Sequence, residues 1–398
     1  MTTMASAHKG QKMLILNGDK EKEGCCGCSA CKSVCPVKAI KMTADEEGFS
    51  YPVIDNSVCI SCGRCQKVCN FYYDPDKNAR QAYGVKHKDL EIRTSSRSGG
   101  AFPAFCKYVV SKGGSVYGAV MKDDFSVCHV RSDTLEDCQP MKKAKYVQSS
   151  TEGIFPLIEK DLKDGRTVLF SGTPCQVASV YGYLEMKKLP EDNLLTCDLI
   201  CHGVPSPDLW QQYVRYIIAK EGQPILEIQF RDKDCGWSPH FESYILADGR
   251  KRFARDYTNL FYKHIIFRPS CASCPFANLH RPGDITIGDF WGIEKQNAAF
   301  NDEKGVSLIF INTKKGKHLF DNIKDDYIYF ETEPSKCLQP TLIRPSKVPP
   351  EREQFWADYK RMPFRKLIQK YTVPKSILKR CRYYAKRILY KCGLRQVP

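Results

Sequence analysis

The chain has 398 residues, 21 of them cysteine, and its 61 basic and 45 acidic residues give a formal net charge of +16. Ordinary proportions of hydrophobic residues (42%) and charged residues (27%) exclude a collagenous, low-complexity or mostly disordered chain. No run approaches 18 consecutive apolar residues, so no transmembrane helix is predicted. The N-terminus also lacks the long apolar run of a signal peptide, and we expect a cytoplasmic protein.

Nine of the cysteines fall between positions 25 and 69 with regular spacing. They include two runs of the form C-x2-C-x2-C-x3-C, the pattern of bacterial two-cluster ferredoxins, in which the fourth cysteine of each run ligates the other cluster. We therefore assign one [4Fe–4S] cluster to Cys25, Cys28, Cys31 and Cys69, and the other to Cys59, Cys62, Cys65 and Cys35. Zinc is the alternative, because paired CxxC motifs form zinc ribbons, but two complete runs exceed the needs of one zinc ion.

The order of predicted elements divides the chain into a small ferredoxin-like module, residues 19–75, and a larger α/β body. A polar, turn-rich linker at 74–78 separates the two. Strands are predicted at 81–85, 115–121, 125–131, 167–170, 194–200, 224–231, 241–247, 284–288 and 306–312, and helices at 101–110, 175–186, 207–220, 256–267 and 314–323. Strands that alternate with helices predict a mixed α/β sheet. From about residue 340 the pattern fades.

Four further cysteines stand in marked contexts of the predicted body. Cys175 and Cys201 each follow a predicted strand, and Cys271 and Cys274 form a CxxC pair. Loops at the carboxyl ends of strands are where α/β sheets build their sites, so these four cysteines are candidates for one more cluster or for a zinc ion. The alternative is that Cys175 and Cys201 are inert core cysteines.

Two segments suit a cofactor that bears phosphate. Residues 95–100 offer hydroxyls, an arginine and glycines just before a helix, and residues 142–146 add three lysines. Without a complete dinucleotide or P-loop motif, a capped helix start and a solvated basic turn are the alternatives. Asp289, at the end of a predicted strand, and His202, next to Cys201, are the candidates for catalysis.

In combination these motifs resemble the family of β-subunits of the coenzyme F-420 hydrogenases and dehydrogenases, in the bacterial form with an N-terminal ferredoxin domain. The resemblance extends over residues 24–331 and rests on both cysteine runs and on segments 96–100, 145–149, 172–176, 201–207, 271–274 and 284–292. It implies an FAD-binding α/β domain with parts 80–160 and 161–335. It also implies a third [4Fe–4S] cluster at Cys175, Cys201, Cys271 and Cys274, and flavin contacts at Ser96, Ser98, Gly99, Gly100, Lys145 and Tyr146.

The leading functional hypothesis is an iron–sulfur flavoprotein oxidoreductase. A one-electron donor or acceptor protein would exchange electrons with the clusters of residues 19–75, and a third cluster would connect them to a flavin that reduces or oxidises an organic substrate. The resemblance also hints at surface-polysaccharide biosynthesis. One alternative is an electron-transfer subunit of a larger redox complex without its own substrate site. Another is an interaction protein stabilised by zinc.

The positive charge is concentrated in residues 359–398, which contain 13 Lys or Arg and no Asp or Glu. The rest of the chain then has a net charge of only +3. Segment 375–390 places apolar residues at helical spacing between cationic ones, which predicts a helix on an anionic membrane surface. A solvated helix or one that docks on a partner protein is the alternative. No nucleic-acid reading motif accompanies the charge.

Overall fold

A computed structural model describes residues 19–69, 78–238 and 240–373. Within these ranges the strands are β1 (Ile40–Ala44), β2 (Ser50–Ile54), β3 (Gln81–His87), β4 (Ser115–Met121), β5 (Val127–Ser132), β6 (Val168–Gly172), β7 (Leu194–Leu199), β8 (Ile225–Phe230), β9 (Glu242–Leu246), β10 (Lys251–Ala254), β11 (Ile285–Asp289), β12 (Ser307–Ile311) and β13 (Tyr327–Thr332). The α-helices are α1 (Ala30–Ser33), α2 (Arg64–Lys67), α3 (Leu90–Ser95), α4 (Ala101–Val110), α5 (Ile154–Lys163), α6 (Pro174–Lys187), α7 (Pro207–Glu221), α8 (Asp256–Tyr262), α9 (Glu294–Asn297), α10 (Lys314–Ile323), α11 (Arg352–Arg361) and α12 (Phe364–Thr372).

Eight strands form one mixed sheet in the order β13-β3-β12-β11-β7-β6-β4-β5. The central strands β11, β7, β6 and β4 are parallel to one another, and the pairs at both edges are antiparallel. Parallel strands need cover on both faces, and every residue of β6 is buried. The predicted mixed α/β class is confirmed. Since β3 lies between β12 and β13, the two predicted parts of the body share this one sheet.

Helices cover both faces of the sheet. On one face α4 and α10 bring Phe105, Val109 and Phe320 against Leu169 of β6. On the other face α5 and α6 bring Phe155 and other apolar side chains against Phe170 of the same strand. Neighbouring residues of a strand point to opposite faces, so β6 contributes to both cores.

A second, smaller layer lies beside the main sheet. Strands β8, β9 and β10 form an antiparallel sheet in the order β10-β9-β8, and the turn at 248–250 joins β9 to β10. Helices α7, α8, α11 and α12 pack with this sheet around Trp210, Tyr257 and Leu367. The core of this layer also includes Phe49 and Tyr51 of the β1–β2 hairpin.

The ferredoxin module is therefore integrated into the body. Ala30 and Val34 of α1 pack in the same core as α5 and α6. Several body side chains donate hydrogen bonds to module carbonyls, among them Gln148 to Cys26 O (2.9 Å), Thr151 to Cys28 O (2.7 Å) and Arg268 to Cys25 O (2.6 Å). The polar linker predicted at 74–78 lies mostly outside the described residues.

The structure also contains elements that the sequence pattern did not predict, among them α5, β10, β13, α11 and α12. Residues 359–373, predicted as the start of the basic tail, belong to the folded body, because α12 buries Leu367, Ile368 and Tyr371. The predicted membrane-binding segment 375–390 lies outside the described residues. No helix within the described ranges is long and apolar enough to span a bilayer.

Candidate functional site

The ferredoxin module brings its cysteines together in two sets. Burial raises the pKa of Cys31, and the nearby thiols of Cys28, Cys25 and Cys69 raise it further. In the second set, burial and then the neighbouring thiols of Cys62 and Cys35 raise the pKa of Cys65. Cys69 therefore lies with the first run and Cys35 with the second, the exchange that the spacing predicts. We call these groups the inner set (Cys25, Cys28, Cys31, Cys69) and the outer set (Cys35, Cys59, Cys62, Cys65).

Both cysteine loops wind in the same way around their second cysteine. Gly27 and Ser29 flank Cys28, Ser61 and Gly63 flank Cys62, and all four flanking residues have a positive φ between 51° and 70°. A glycine is needed at 27, because a Cβ there would lie 2.7 Å from Arg268 Nη1 and 2.9 Å from Gln148 Nε2. The same local turn thus serves both sets, but in the first loop it lies directly against Arg268 and Gln148 of the body.

The inner and outer sets differ in their surroundings. Arg268, which is buried, donates to Cys25 Sγ (3.6 Å) and to Ser50 O (3.0 Å), and its guanidinium lies 4.1 Å from the Tyr51 ring centroid. In the outer set Cys62 is exposed, and the Ala39 amide donates to Cys35 Sγ at 3.2 Å. Amide and guanidinium donors to sulfur are what cluster thiolates accept.

The four predicted cysteines of the body line one small cavity. Cys175 lies in the first turn of α6, Cys201 follows β7, and Cys271 and Cys274 lie in and just after a 3-10 turn at 269–273. The Val204 amide donates to Cys271 Sγ (3.4 Å), and the Thr173 hydroxyl lies 3.2 Å from Cys175 Sγ. We call these four the body set. Within the described residues no three His, Cys, Asp or Glu side chains converge closely enough to hold a single metal ion.

Cys26, which has no place in the ferredoxin spacing, lies between two of these sets. Its thiol is a close neighbour of Cys175 of the body set and of Cys28 of the inner set, and its interactions with these two thiols, together with burial, raise its pKa. It also lines the cavity of the body set. No sequence pattern pointed to this position, because the contact joins segments far apart in the chain.

A larger cavity of about 320 Å³ lies next to the body set. Five of the six predicted flavin contacts line it, namely Ser96, Ser98, Gly100, Lys145 and Tyr146, together with the two catalytic candidates His202 and Asp289. Gly99 lies behind this lining, where its amide donates to Ser307 Oγ (2.8 Å) and a Cβ would come within 2.2 Å of Val85 O. Cys201 and His202 line both cavities, so the two spaces share a wall.

The hydroxyls of the serine loop are already engaged with the protein. Ser96 donates to Ile92 O and Ser98 to Val306 O, both at 2.7 Å. Helix α4, by contrast, begins at the cavity with Ala101 and Phe102. The first amides of a helix lack intrahelical acceptors and attract anions. The first backbone amides of α4 are therefore better placed than the Ser96 and Ser98 hydroxyls to donate hydrogen bonds to a phosphate.

The larger cavity is electropositive. Its lining includes Arg97, Arg231 and three lysines (Lys142, Lys143 and Lys145), but Asp289 is the single carboxylate among the lining residues. Burial lowers the pKa of Lys145 to about 7, and the charge of Lys143 contributes to this shift. A bound anion would favour the protonated form of this lysine.

Asp289 is not free to act as a proton donor. It forms an ion pair with Arg231 and accepts a hydrogen bond from Trp237 Nε1 at 3.0 Å. Burial opposes ionisation, but Arg231 and Arg97 hold the pKa of Asp289 well below its usual range. Burial lowers the pKa of His202, so its imidazole is neutral at neutral pH. Arg231, Trp237 and His240 were not predicted as site residues, because they lie in a loop region without a motif.

Comparison with known proteins gives two family matches and two relatives. Residues 165–336 match the family described as the C terminus of the beta subunit of coenzyme F420 hydrogenase/dehydrogenase, and residues 24–72 match a 4Fe-4S dicluster domain. A subunit of the F(420)H(2) dehydrogenase of Methanosarcina mazei is 22% identical, over 76% of this chain and 83% of its own. A chain of the F420-reducing [NiFe] hydrogenase complex from Methanosarcina barkeri is 19% identical with a TM-score of 0.47, over 78% of this chain and 92% of that chain.

Proposed function

We propose that the chain is an iron–sulfur flavoprotein oxidoreductase of the coenzyme F-420 hydrogenase/dehydrogenase beta-subunit-like family, since residues 165–336 match the C-terminal model of that family and residues 24–72 match a 4Fe–4S dicluster domain. The inner and outer sets hold the two clusters of the dicluster domain. The body set holds a third [4Fe–4S] cluster, and the larger cavity holds a flavin, most simply FAD. A flavin supplies both one-electron and two-electron chemistry.

The observation that carries this proposal is the continuity of the sites. The outer set adjoins the inner set in one module, and Cys26 contacts both the inner set and the body set. Cys201 of the body set and its neighbour His202 also line the larger cavity. Each neighbouring pair of sites thus shares at least one residue or one small module. This order of sites suits the transfer of single electrons at the outer set and the two-electron reaction of an organic substrate at the larger cavity.

Three properties of the larger cavity support the proposal of a flavin dinucleotide. Its volume of about 320 Å³ falls in the range of about 300–1,000 Å³ that is usual for ligand pockets. The lysines of segment 142–145 and the start of α4 supply positive potential for a pyrophosphate. Apolar side chains such as Phe102, Val127 and Phe261 supply the surface for a ring system.

Arg231 and its neighbours offer a place for the organic substrate. The Arg231 guanidinium lies 4.9 Å from the Trp291 ring centroid, and Trp291 stacks on Trp237 with ring centroids 4.9 Å apart. Asp289 fixes Arg231 in this position. A cation beside an aromatic surface suits a planar substrate with anionic oxygen. His202, in the wall between the two cavities, is the candidate to hold a proton there. We also propose that the chain acts in surface-polysaccharide biosynthesis, lies in the cytoplasm and contacts the membrane through its C-terminal tail.

A second candidate function is an electron-transfer component of a larger complex without its own substrate. The name of the Methanosarcina mazei relative favours it, because that protein is one subunit of a dehydrogenase. The buried Arg231–Asp289 pair and the aromatic wall at the larger cavity favour the first candidate. Turnover of any organic substrate by the isolated chain would decide for the first.

Anaerobic purification followed by iron, sulfide and flavin analysis tests the cofactor content. We expect about twelve irons and one flavin per chain, since three [4Fe–4S] clusters contain twelve. Cys271→Ser should lose about four irons and keep the rest, whereas Cys337→Ala, which changes a buried cysteine outside the three sets, should lose none. About eight irons and no flavin in the unmodified chain would overturn the proposal.

A further inference from the structure

The outward end of the ferredoxin module exposes apolar side chains around the outer set. Val53 is 50% exposed, Val58 48% and Ile60 60%. Cys62 of the outer set is itself exposed. We call this surface the outer face; it comprises Val37, Lys38, Lys41, Val53, Asp55, Val58, Ile60, Cys62, Arg64 and Lys67. Contiguous exposed apolar surface with a polar rim marks an interaction site.

The β1–β2 hairpin turns the outer face away from the body. Its turn lies on the body, where Glu47 pairs with Arg352, and a Cβ at Gly48 would come within 2.3 Å of Asp208 Cβ. At its other end Lys41 stands opposite Val53, and the Asp55 amide donates to Ala39 O (2.8 Å). Directly opposite residues of an antiparallel pair point to the same side, so the apolar and cationic side chains of the face are neighbours.

The rim of the outer face is cationic. Lys38, Lys41, Arg64 and Lys67 are exposed, and in the described part of the chain none of them forms an ion pair. Asp55 is the only acidic residue of the face. At the turn of the hairpin the carboxylates of Asp45 and Glu47 pair with Lys22 (2.9 Å) and Arg352, respectively. These two acidic side chains are thus neutralised at the end of the hairpin that lies on the body.

We propose that the outer face is the docking site of an acidic one-electron carrier protein, and that electrons enter or leave the chain through the outer set. The inner set is excluded from this role, because Arg268 and Gln148 cover it from the body side. In each encounter the reduced carrier loses one electron, one cluster gains it, and no bond or proton is exchanged. This inference rests on the iron–sulfur part of the proposed function but not on the flavin.

A stopped-flow experiment with the full-length holoprotein tests the docking site. The probe is an acidic flavodoxin in its hydroquinone form, and the measured quantity is the rate of cluster reduction. Lys41→Glu/Lys67→Glu should slow this reaction about tenfold or more at low ionic strength, because complementary charge steers protein encounters. At high ionic strength, where charges are screened, the rates of the variant and the unmodified chain should converge.

Two controls distinguish weaker docking of the carrier from damage to the clusters. Lys304→Glu/Lys314→Glu makes the same change in net charge at exposed positions away from the module, and its rate should equal that of the unmodified chain. Reduced methyl viologen, a small cation that needs no docking surface, should reduce the clusters of Lys41→Glu/Lys67→Glu at least as fast as before. Unchanged iron content in both variants shows that the clusters are intact.

Three outcomes would overturn the inference. The first is an unchanged flavodoxin rate in Lys41→Glu/Lys67→Glu, and the second is an equal loss in the control variant. The third is loss of binding to anionic vesicles with an unchanged flavodoxin rate, since that would assign the face to a membrane. A chain that contains iron but no flavin would contradict the flavin part of the proposed function and leave this test fully interpretable.

Discussion

The Cys26 thiol is a close neighbour of the Cys175 thiol, and this contact joins the ferredoxin module to the first turn of α6. A second contact of the same thiol reaches Cys28 of the inner set. Because hydrogen bonds to cluster sulfurs tune reduction potentials, a donor at Cys26 would act on the clusters that we propose for the inner set and the body set. It is a positioning residue rather than a ligand in this arrangement.

Cys26→Ala should keep the full iron content but lower the reduction potential of the inner or the body cluster. A hydrogen bond to sulfur worth about 1 kcal/mol corresponds to about 40 mV for a one-electron couple. A redox titration followed by electron paramagnetic resonance measures this shift. Cys26→Ser retains a donor and should show a smaller shift. Loss of about four irons in Cys26→Ala would instead identify Cys26 as a ligand.

Arg268 should stabilise both the fold and the inner set. Its guanidinium donates to Cys25 O, Cys25 Sγ, Ser50 O and Gln148 Oε1, and it is only 1% exposed. Arg268→Met leaves these acceptors without a donor, so we expect about 2–4 kcal/mol less stability and loss of the inner cluster. Chemical unfolding and iron analysis measure both effects. Arg268→Lys keeps the charge and should retain more iron than Arg268→Met; equal iron in the two variants would contradict this role of the charge.

Flavin affinity should depend on pH through Lys145. Burial holds the pKa of this lysine at about 7 in the absence of an anion, so the charge is present below that pH and lost above it. An anionic pyrophosphate favours the protonated lysine. FAD should therefore bind more weakly as the pH rises from 6 to 8. Fluorescence titration of the flavin measures the Kd, and Lys145→Met should bind weakly at every pH with a flatter profile. A profile equally steep in Lys145→Met would assign the pH dependence to another group.

The parts of the fold that could be predicted rest on local signals. The β4–β5 hairpin has a short turn between two strands of alternating pattern, and the ferredoxin sets follow cysteine spacing. Strand β13 was not predicted, because it is an edge strand whose Ile328 and Tyr329 are exposed and whose partner β3 is distant in the chain. Helices α11 and α12 are polar overall and gain their stability from a few buried residues, such as Trp356 and Leu367, in a core formed by other segments.

The candidate site also has one part that local sequence patterns predict and another part that they do not. The serine–glycine loop, the lysine segment and the CxxC pair are short patterns, and the structure brings them to two adjoining cavities. The Arg231–Asp289 ion pair and the Cys26–Cys175 contact each join residues from different elements. A pairing of that kind depends on the strand order β11-β7-β6 and on where the β8–β10 layer docks, and single-sequence patterns contain neither.

Asp289 should matter chiefly because it holds Arg231. Both side chains are largely buried, with 4% of Arg231 and 10% of Asp289 exposed. Removing one partner of such a pair leaves an uncompensated charge, which costs about 3–5 kcal/mol. Asp289→Asn should therefore lower the free energy of unfolding by about that amount and weaken substrate binding. Chemical unfolding and the KM of any substrate found measure the two effects.

The double variant Asp289→Asn/Arg231→Gln distinguishes this positioning role from a direct role in catalysis. With both charges of the ion pair removed, Arg231 no longer leaves an uncompensated charge, whereas the more weakly coupled Arg97 still lacks its carboxylate neighbour. Stability should therefore recover a large part of the loss seen in Asp289→Asn alone. Activity should stay low in the double variant, because Arg231 no longer offers its cation beside Trp291. If Asp289→Asn retains full stability but loses kcat with unchanged KM, then Asp289 takes part in the chemistry itself and the positioning role is wrong.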